Sequence, residues 1–205
     1  MPLSSNRGNM VPLSPFRKFA VLADKAKAQG KQIYHLNIGQ PDIATPPAAL
    51  QKLKELDLPI LEYSPAEGIP SYRQKLTNYY KQYNIDVSAD EIIVTTGASE
   101  AIYFTLLACL EPGDEIIVPE PFYANYNGFA HMAGVGVKPI TSYIEDGFAL
   151  PDVADFELAI TEKTKAIFLC NPNNPTGCFY PRESLEALAE LVKKHDLFLI
   201  SDEVY

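Results

Sequence analysis

Cysteine is scarce. The 205 residues hold three, Cys109, Cys170 and Cys178, an odd number with no CxxC spacing. That excludes a disulfide framework and a cysteine-based zinc cluster, and it predicts a reducing compartment, the cytoplasm. Long apolar runs are missing too. No stretch approaches the ~20 residues of a membrane span or the h-region of a signal peptide. Basic residues are in deficit: 17 Lys and Arg stand against 26 Asp and Glu, a net charge of −9. A field of that sign repels polyanions, which argues against a nucleic-acid or anionic-membrane partner. Two glycine signatures are absent as well. There is no GK[ST] of a Walker loop and no GxGxxG of a dinucleotide fingerprint. No internal repeat or low-complexity stretch occurs.

What remains is an ordinary globular composition, 47% apolar and 21% charged, enough for one substantial core. The charge is uneven. Residues 1–35 carry six Lys or Arg and one Asp, and the remainder carries eleven basic and twenty-five acidic residues. The basic start reads as a solvated helix rather than a targeting segment. Residues 1–13 are polar, Pro/Gly-punctuated and read as an arm. Over 14–29, Phe16, Phe19, Ala20, Ala23 and Ala26 recur at helical spacing before Gly30 stops the helix. Residues 33–38 alternate as a short strand that ends in the turn cluster Gly39-Gln40-Pro41-Asp42. Pro46-Pro47 opens a helix to about Glu55. After an irregular EYSPAEGIP, a helix over about Ser71–Tyr83 carries a stripe of Tyr72, Leu76, Tyr79, Tyr80 and Tyr83, which reads as core packing.

From Glu91 the pattern turns regular. EIIVTT reads as a strand, and TGASEA opens a helix through Leu110. EIIVP reads as a strand, and EPFYANY leads into a helix to about Met132. VGVKPI is a strand, with a helix near Val153–Ile160. KAIFLC is a strand leading into NPNNPTG. Pro181 opens the helix RESLEALAELVKKH, and LFLIS is a strand leading into DEVY. Strand–helix alternation with Ile/Val/Leu-rich strands predicts an α/β fold with a buried parallel sheet. Such sheets bind ligands beyond the carboxyl ends of their strands.

Four unusual clusters fall at those ends. Gly97, Ala98 and Ser99 lie at a strand-to-helix turn, where small residues and free N–H groups suit a phosphate; Gly and a Ser N-cap also suit any such turn. Phe122 and Tyr123 offer an aromatic face for a planar ring, or simply core packing. NPNNPTG is a stiff loop whose X-Pro bonds either trans or cis geometry could serve, and it can hold the Asn174 amide against a ligand oxygen. Asp202 follows an apolar strand. A buried carboxylate there needs a partner, such as a protonated ring nitrogen, unless it caps the next turn.

Together these clusters resemble the N-terminal half of class I/II pyridoxal-phosphate-dependent aminotransferases of fold type I, close to the aspartate and aromatic enzymes. The matching segments are LNIGQPD at 36–42, EYSPAEG at 62–68, TTGASEA at 95–101, EPGDEIIVPEPFY at 111–123, NPNNPTG at 171–177 and SDEVY at 201–205. The resemblance implies a three-layer, mostly parallel sheet flanked by helices. It implies an arm and small-domain segment over 1–45 and a large cofactor-binding domain over 46–205. It places pyridoxal 5′-phosphate with its phosphate at Gly97, Ala98 and Ser99 and its ring on Tyr123. Asn174 and Tyr205 would meet the 3′-oxygen, and Asp202 the ring nitrogen. Gly39 matches a backbone site near the substrate carboxylate. Tyr63 matches a residue that reaches the neighbouring subunit's cofactor, which implies a homodimer.

The substrates implied are an L-amino acid of aspartate or aromatic type and a 2-oxo acid. None of the thirteen lysines lies in the family's imine-forming context, so that lysine is expected beyond Tyr205 and the 205-residue chain alone is expected to be inactive. The end of the chain after a strand reads as a truncation. Two alternatives stay open. One is another reaction on the same cofactor, a carbon–sulfur lyase, synthase or decarboxylase; the other is a non-catalytic aminotransferase-like fragment.

Overall fold

The computed structural model describes residues 2–11, 19–37 and 39–205. They form two compact units, one of Met1–Pro15 and Thr96–Tyr205, the other of Phe16–Thr95. In chain order, α1 spans Asn6–Met10, α2 Ala20–Ala28, α3 Pro47–Lys54 and α4 Pro70–Lys81. The second part runs α5 (Ala98–Cys109), β1 (Glu115–Glu120), α6 (Asn125–Ala133), β2 (Gly136–Thr141), α7 (Val153–Ala159), β3 (Thr164–Cys170), α8 (Arg182–Lys194) and β4 (Phe198–Asp202).

The sheet unit is a three-layer α/β structure. Its strands are all parallel, in the order β2-β1-β3-β4. Side-chain alternation sorts the two central strands cleanly between two cores. Ile116 and Val118 of β1, with Ala166, Phe168 and Cys170 of β3, pack with Ile102 and Leu106 of α5 and Tyr126 and Ala130 of α6. Ile117, Ile167 and Leu169 face the other way, onto Phe156 of α7 and Leu188, Leu191 and Val192 of α8. A buried strand covered on both faces has no need of polar alternation, hence the continuous apolar runs IIVP and AIFLC. α8 shows its role in its sequence. Its buried residues Leu188, Leu191 and Val192 fall at i, i+3 and i+4, and Glu183 and Lys193/Lys194 complement the helix dipole at the two ends.

Connectivity places a crevice. The chain leaves β1 through α6 on one face and returns as β2. It leaves β3 through α8 on the opposite face. The chain thus departs in opposite directions from neighbouring strands, which is where open α/β sheets bind ligands. The strands also part there. β1 pairs with β2 through Glu120↔Thr141, but its register with β3 ends at Ile117↔Ile167. Two residues on lies Pro119, which has no N–H to continue a ladder.

Some sequence expectations change. Residues 31–35 form no strand and 36–37 form a turn; Ile38 lies outside the described residues, as do 14–18 of the expected first helix, which is helical over Ala20–Ala28. The arm contains a short helix, α1, capped by Ser5 Oγ on the Gly8 N–H. EIIVTT is not a strand either. Ser88 and Glu91 close a capping box around a 3-10 turn, and Ile92 is then extended. The segment makes no ladder; Val94 N–H donates to the Glu67 carbonyl at 3.0 Å. At that contact Gly68 has φ +99°, and a Cβ on it would stand 2.6 Å from Val94 Cβ, so the close approach needs glycine. The tyrosine stripe of α4 is not core. Tyr72, Tyr79, Tyr80 and Tyr83 are exposed, and Tyr79 packs against the rings of Tyr80 and Tyr83.

Candidate functional site

The turn into α5 is shaped by Gly97. Its φ of 81° and ψ of 168° lie where only glycine is unstrained. Gly97, not Ser99, is the N-cap, and it gives no side-chain cap to the helix. Ala98 and Ser99 form the exposed first turn. Glu100 reaches back instead: its Oε2 accepts from the Thr96 N–H at 2.6 Å. The helix thus begins with exposed backbone donors at the positive end of its dipole. α5 packs against α6 and β4.

Past the carboxyl ends of β1, β3 and β4, three loops are joined by side chains. Asn173, buried in NPNNPTG, donates both protons of its amide. One goes to the Pro121 carbonyl at 3.0 Å, the other to Thr176 Oγ1 at 2.8 Å. The first bond spans the gap where β1 and β3 part. Asn171 ties the loop further: its Oδ1 accepts from the Tyr180 N–H, and its own N–H donates to the Asp202 carbonyl. The Asn171–Pro172, Asn174–Pro175 and Glu120–Pro121 peptides are all cis. Asn174 Nδ2 donates to Tyr205 Oη at 2.7 Å.

Asp202 ends β4 on the face that carries Cys170 and Tyr126, because it pairs in register with Cys170. Its carboxylate is engaged on both oxygens. Oδ2 accepts from the Tyr126 hydroxyl at 2.7 Å, and Oδ1 from the Val204 N–H at 3.2 Å. Asp202 is therefore a turn cap and a buried-partner carboxylate at once. Tyr126 is fully buried, 4.5 Å from the Phe168 ring, stacked with Phe122 and edge-on to Tyr123 at 5.5 Å. Its phenol is pushed far above the usual range, first by burial, then by the Asp202 carboxylate and the Cys170 thiol. It stays a neutral donor. Tyr123 is half-buried, and its Oη accepts from Asn125 Nδ2 at 2.6 Å.

The family model for aminotransferase class I and II matches residues 31–205. The chain belongs to this family. Members of the class depend on pyridoxal 5′-phosphate. Among curated relatives, the aspartate/prephenate aminotransferase of Thermus thermophilus is 37% identical over 206 residues, covering 97% of this chain and 53% of that protein. The aspartate aminotransferase of Thermotoga maritima is 35% identical over 98% of this chain and 54% of its own. The solved aspartate aminotransferase of Thermotoga maritima superposes with a TM-score of 0.91 at 33% identity, over 98% of this chain and 54% of that one. The Thermus thermophilus aspartate aminotransferase with maleate gives 0.87 at 36% identity, over 100% and 54%. The chain thus spans about half the length of the curated relatives it matches.

Within this chain, the sheet unit holds Gly97, Ala98, Ser99, Tyr123, Asn174, Asp202 and Tyr205. Asn174 meets Tyr205 directly, and Tyr123 and Asp202 meet through Tyr126. Gly39 and Tyr63 belong to the other unit and are exposed there. Sequence reading did not single out Tyr126 or Asn173. Tyr126 had one available signal, a tyrosine three residues after Tyr123 in the first turn of an expected helix. Asn173 had none beside its neighbour Asn174.

Proposed function

We propose that this chain builds the cofactor-holding part of an aminotransferase that exchanges an amino group between an L-amino acid of aspartate or aromatic type and a 2-oxo acid. The observation that carries the reading is the Asp202 carboxylate, fixed on both oxygens at the end of β4 beside the Asn174–Tyr205 pair. The donor set suits pyridoxal 5′-phosphate. Asn174 spends one amide proton on Tyr205, which leaves its second proton and the Tyr205 hydroxyl proton for a single ligand oxygen. Asp202 keeps unused lone pairs on both oxygens for a ring N–H. Bound pyridoxal phosphate supplies an electron sink for a bond broken at an amino acid's α-carbon. The ionised Asp202 holds a proton on the ring nitrogen, because the opposite charge favours that form. Asn174 and Tyr205 donate to the 3′-oxygen, and Tyr123 orients the ring. Gly97, Ala98 and Ser99 receive the phosphate at the start of α5.

The substrate class rests on the relatives, whose names include aspartate/prephenate and aspartate aminotransferases. Gly39 is assigned to the substrate carboxylate. The exposed Tyr63 is assigned to a neighbouring copy's cofactor phosphate, in a homodimer. The three free thiols support a cytoplasmic setting. The test is a half-reaction. Protein carrying this chain, loaded with pyridoxal phosphate and given L-aspartate or an aromatic L-amino acid, should release the 2-oxo acid and leave an equimolar amount of the amine-form cofactor. Release of ammonia or carbon dioxide without that amine would overturn the reading in favour of another reaction on the same cofactor.

A further inference from the structure

We propose that Tyr126 is the positioning residue of the site: its hydroxyl fixes the rotation of the Asp202 carboxylate so that the lone pairs left over face the ring nitrogen. The inference rests on the cofactor reading above and adds to it a residue that none of the matched motifs assigns to the cofactor. Asp202 is the last residue of β4. Left to itself, a carboxylate there rotates about its Cβ–Cγ bond. One hydrogen bond, from the Val204 N–H at 3.2 Å, comes from two residues on and ties the carboxylate to its own segment of chain. Tyr126 is instead anchored in the core between Phe122, Tyr123 and Phe168, and it donates across 76 residues of chain at 2.7 Å.

Two further features fit positioning rather than proton transfer. Burial first, then the Asp202 carboxylate, pushes the phenol far above the usual range, so it keeps the proton that it donates to Asp202. Its ring is also edge-on to Tyr123, the residue assigned to the cofactor's face. One side chain therefore sets both the carboxylate that meets the ring's nitrogen and the aromatic that meets its plane. Cys170 stands across from Asp202 in the ladder and its thiol donates to the Pro172 carbonyl, which leaves Tyr126 as the core donor to the carboxylate among the described residues.

The decisive experiment compares two ligands that differ at one atom. Dissociation constants are measured for pyridoxal 5′-phosphate and for its analogue with C–H in place of the ring nitrogen, by equilibrium ultrafiltration. The protein carrying this chain is used as wild type, Y126F and D202N. The wild type should prefer the natural cofactor, and D202N should lose the preference. Y126F should lower it about tenfold, the size of one hydrogen bond to a charged group, while binding of the analogue stays within about twofold. A Y126F variant that weakens both ligands equally would make Tyr126 a packing residue and overturn the inference alone. So would an unchanged preference in Y126F beside a lost one in D202N. Absence of any preference in the wild type would overturn the placement of Asp202 at the ring nitrogen, and this inference with it. Tyr126→3-fluorotyrosine, which keeps the shape and strengthens the donor, provides a variant independent of any folding defect in Y126F; it should raise the preference, and a fall would count against the proposal.

Discussion

At Gly97 the backbone is the functional group. A Cβ added there meets nothing within 4 Å, so a G97A variant tests conformation without a clash. The φ of 81° and ψ of 168° should make alanine cost about 1–3 kcal/mol, unless the turn relaxes and moves the start of α5. Urea unfolding of G97A should show that loss at unchanged m-value, together with weaker cofactor binding; full stability would show that the turn had relaxed. Asn173 makes the complementary case, where the side chain is everything. Its buried amide offers both protons to fixed acceptors, so N173A leaves the Pro121 carbonyl without its donor. A stranded buried acceptor costs about 1–3 kcal/mol. N173D should be worse at neutral pH, since it sets a carboxylate oxygen against that carbonyl. Denaturant midpoints ordered wild type, N173A, N173D check this, and N173D equal to wild type would refute it. Nothing local distinguishes Asn173 from Asn174. Asn173 turns inward, to Thr176 and to Pro121 52 residues away, and only the fold shows which of the two does so.

At the scale of elements, the exposed clasp between α7 and α8 gives a pH prediction. Glu157 meets Lys194 and His195 at the end of α8, and these partners, Lys194 first, hold its carboxyl below the ordinary value of 4.5. A carboxyl with a lowered folded-state pKa contributes stability above its unfolded value and loses it as pH falls through the folded one. E157Q should therefore be less stable than wild type at pH 7, by a small and salt-sensitive amount, and the gap should close as pH falls below 4.5 and through the lowered folded-state value. A gap that persists once the carboxyl is fully protonated would mean the glutamate acts through packing. The helix and strand limits past residue 97 lie within a few residues of those read from periodicity, because these segments carry apolar faces that match their covering layers. Residues 33–37, read from alternation, and 91–96, read from the run Ile92-Ile93-Val94, form no strand. Such patterns report an extended backbone, as at Ile92. A strand needs in addition a partner backbone, and no local pattern supplies one. The aromatic stripe of α4 fails for the same reason: spacing groups Tyr72, Tyr79, Tyr80 and Tyr83, but it says nothing of whether another element covers them, and they are exposed.

At the scale of the whole sheet unit, the two ends of the sheet carry different surfaces, and only one is assigned to the ligand. The amino ends bear an open groove lined by Glu115, Lys138, Thr161 and Lys163, in which Thr161 Oγ1 donates to Glu115 and Lys138 Nζ to the Ala159 carbonyl. Glu115 and Lys138 thus already have partners, and the loop there is tied only locally, its Thr161 N–H donating to the buried Thr164 Oγ1 three residues on. The carboxyl ends combine the parting of β1 from β3, the opposite departures of α6 and α8, and three loops tied by Asn171, Asn173 and Tyr126. Ligand binding stabilises most the segments that open when it leaves, and at a hundredfold excess over the dissociation constant the gain is about 2.7 kcal/mol. Hydrogen exchange with and without pyridoxal phosphate should therefore slow in residues 97–101, 121–126, 171–178 and 202–205 by up to about a hundredfold. Residues 136–139 and 161–163 should exchange at an unchanged rate. Protection centred on the amino-end groove instead would move the site to the other end of the sheet. The roles of Asp202, Asn174 and Tyr126 would then fall together, because one crevice is what makes them a single site.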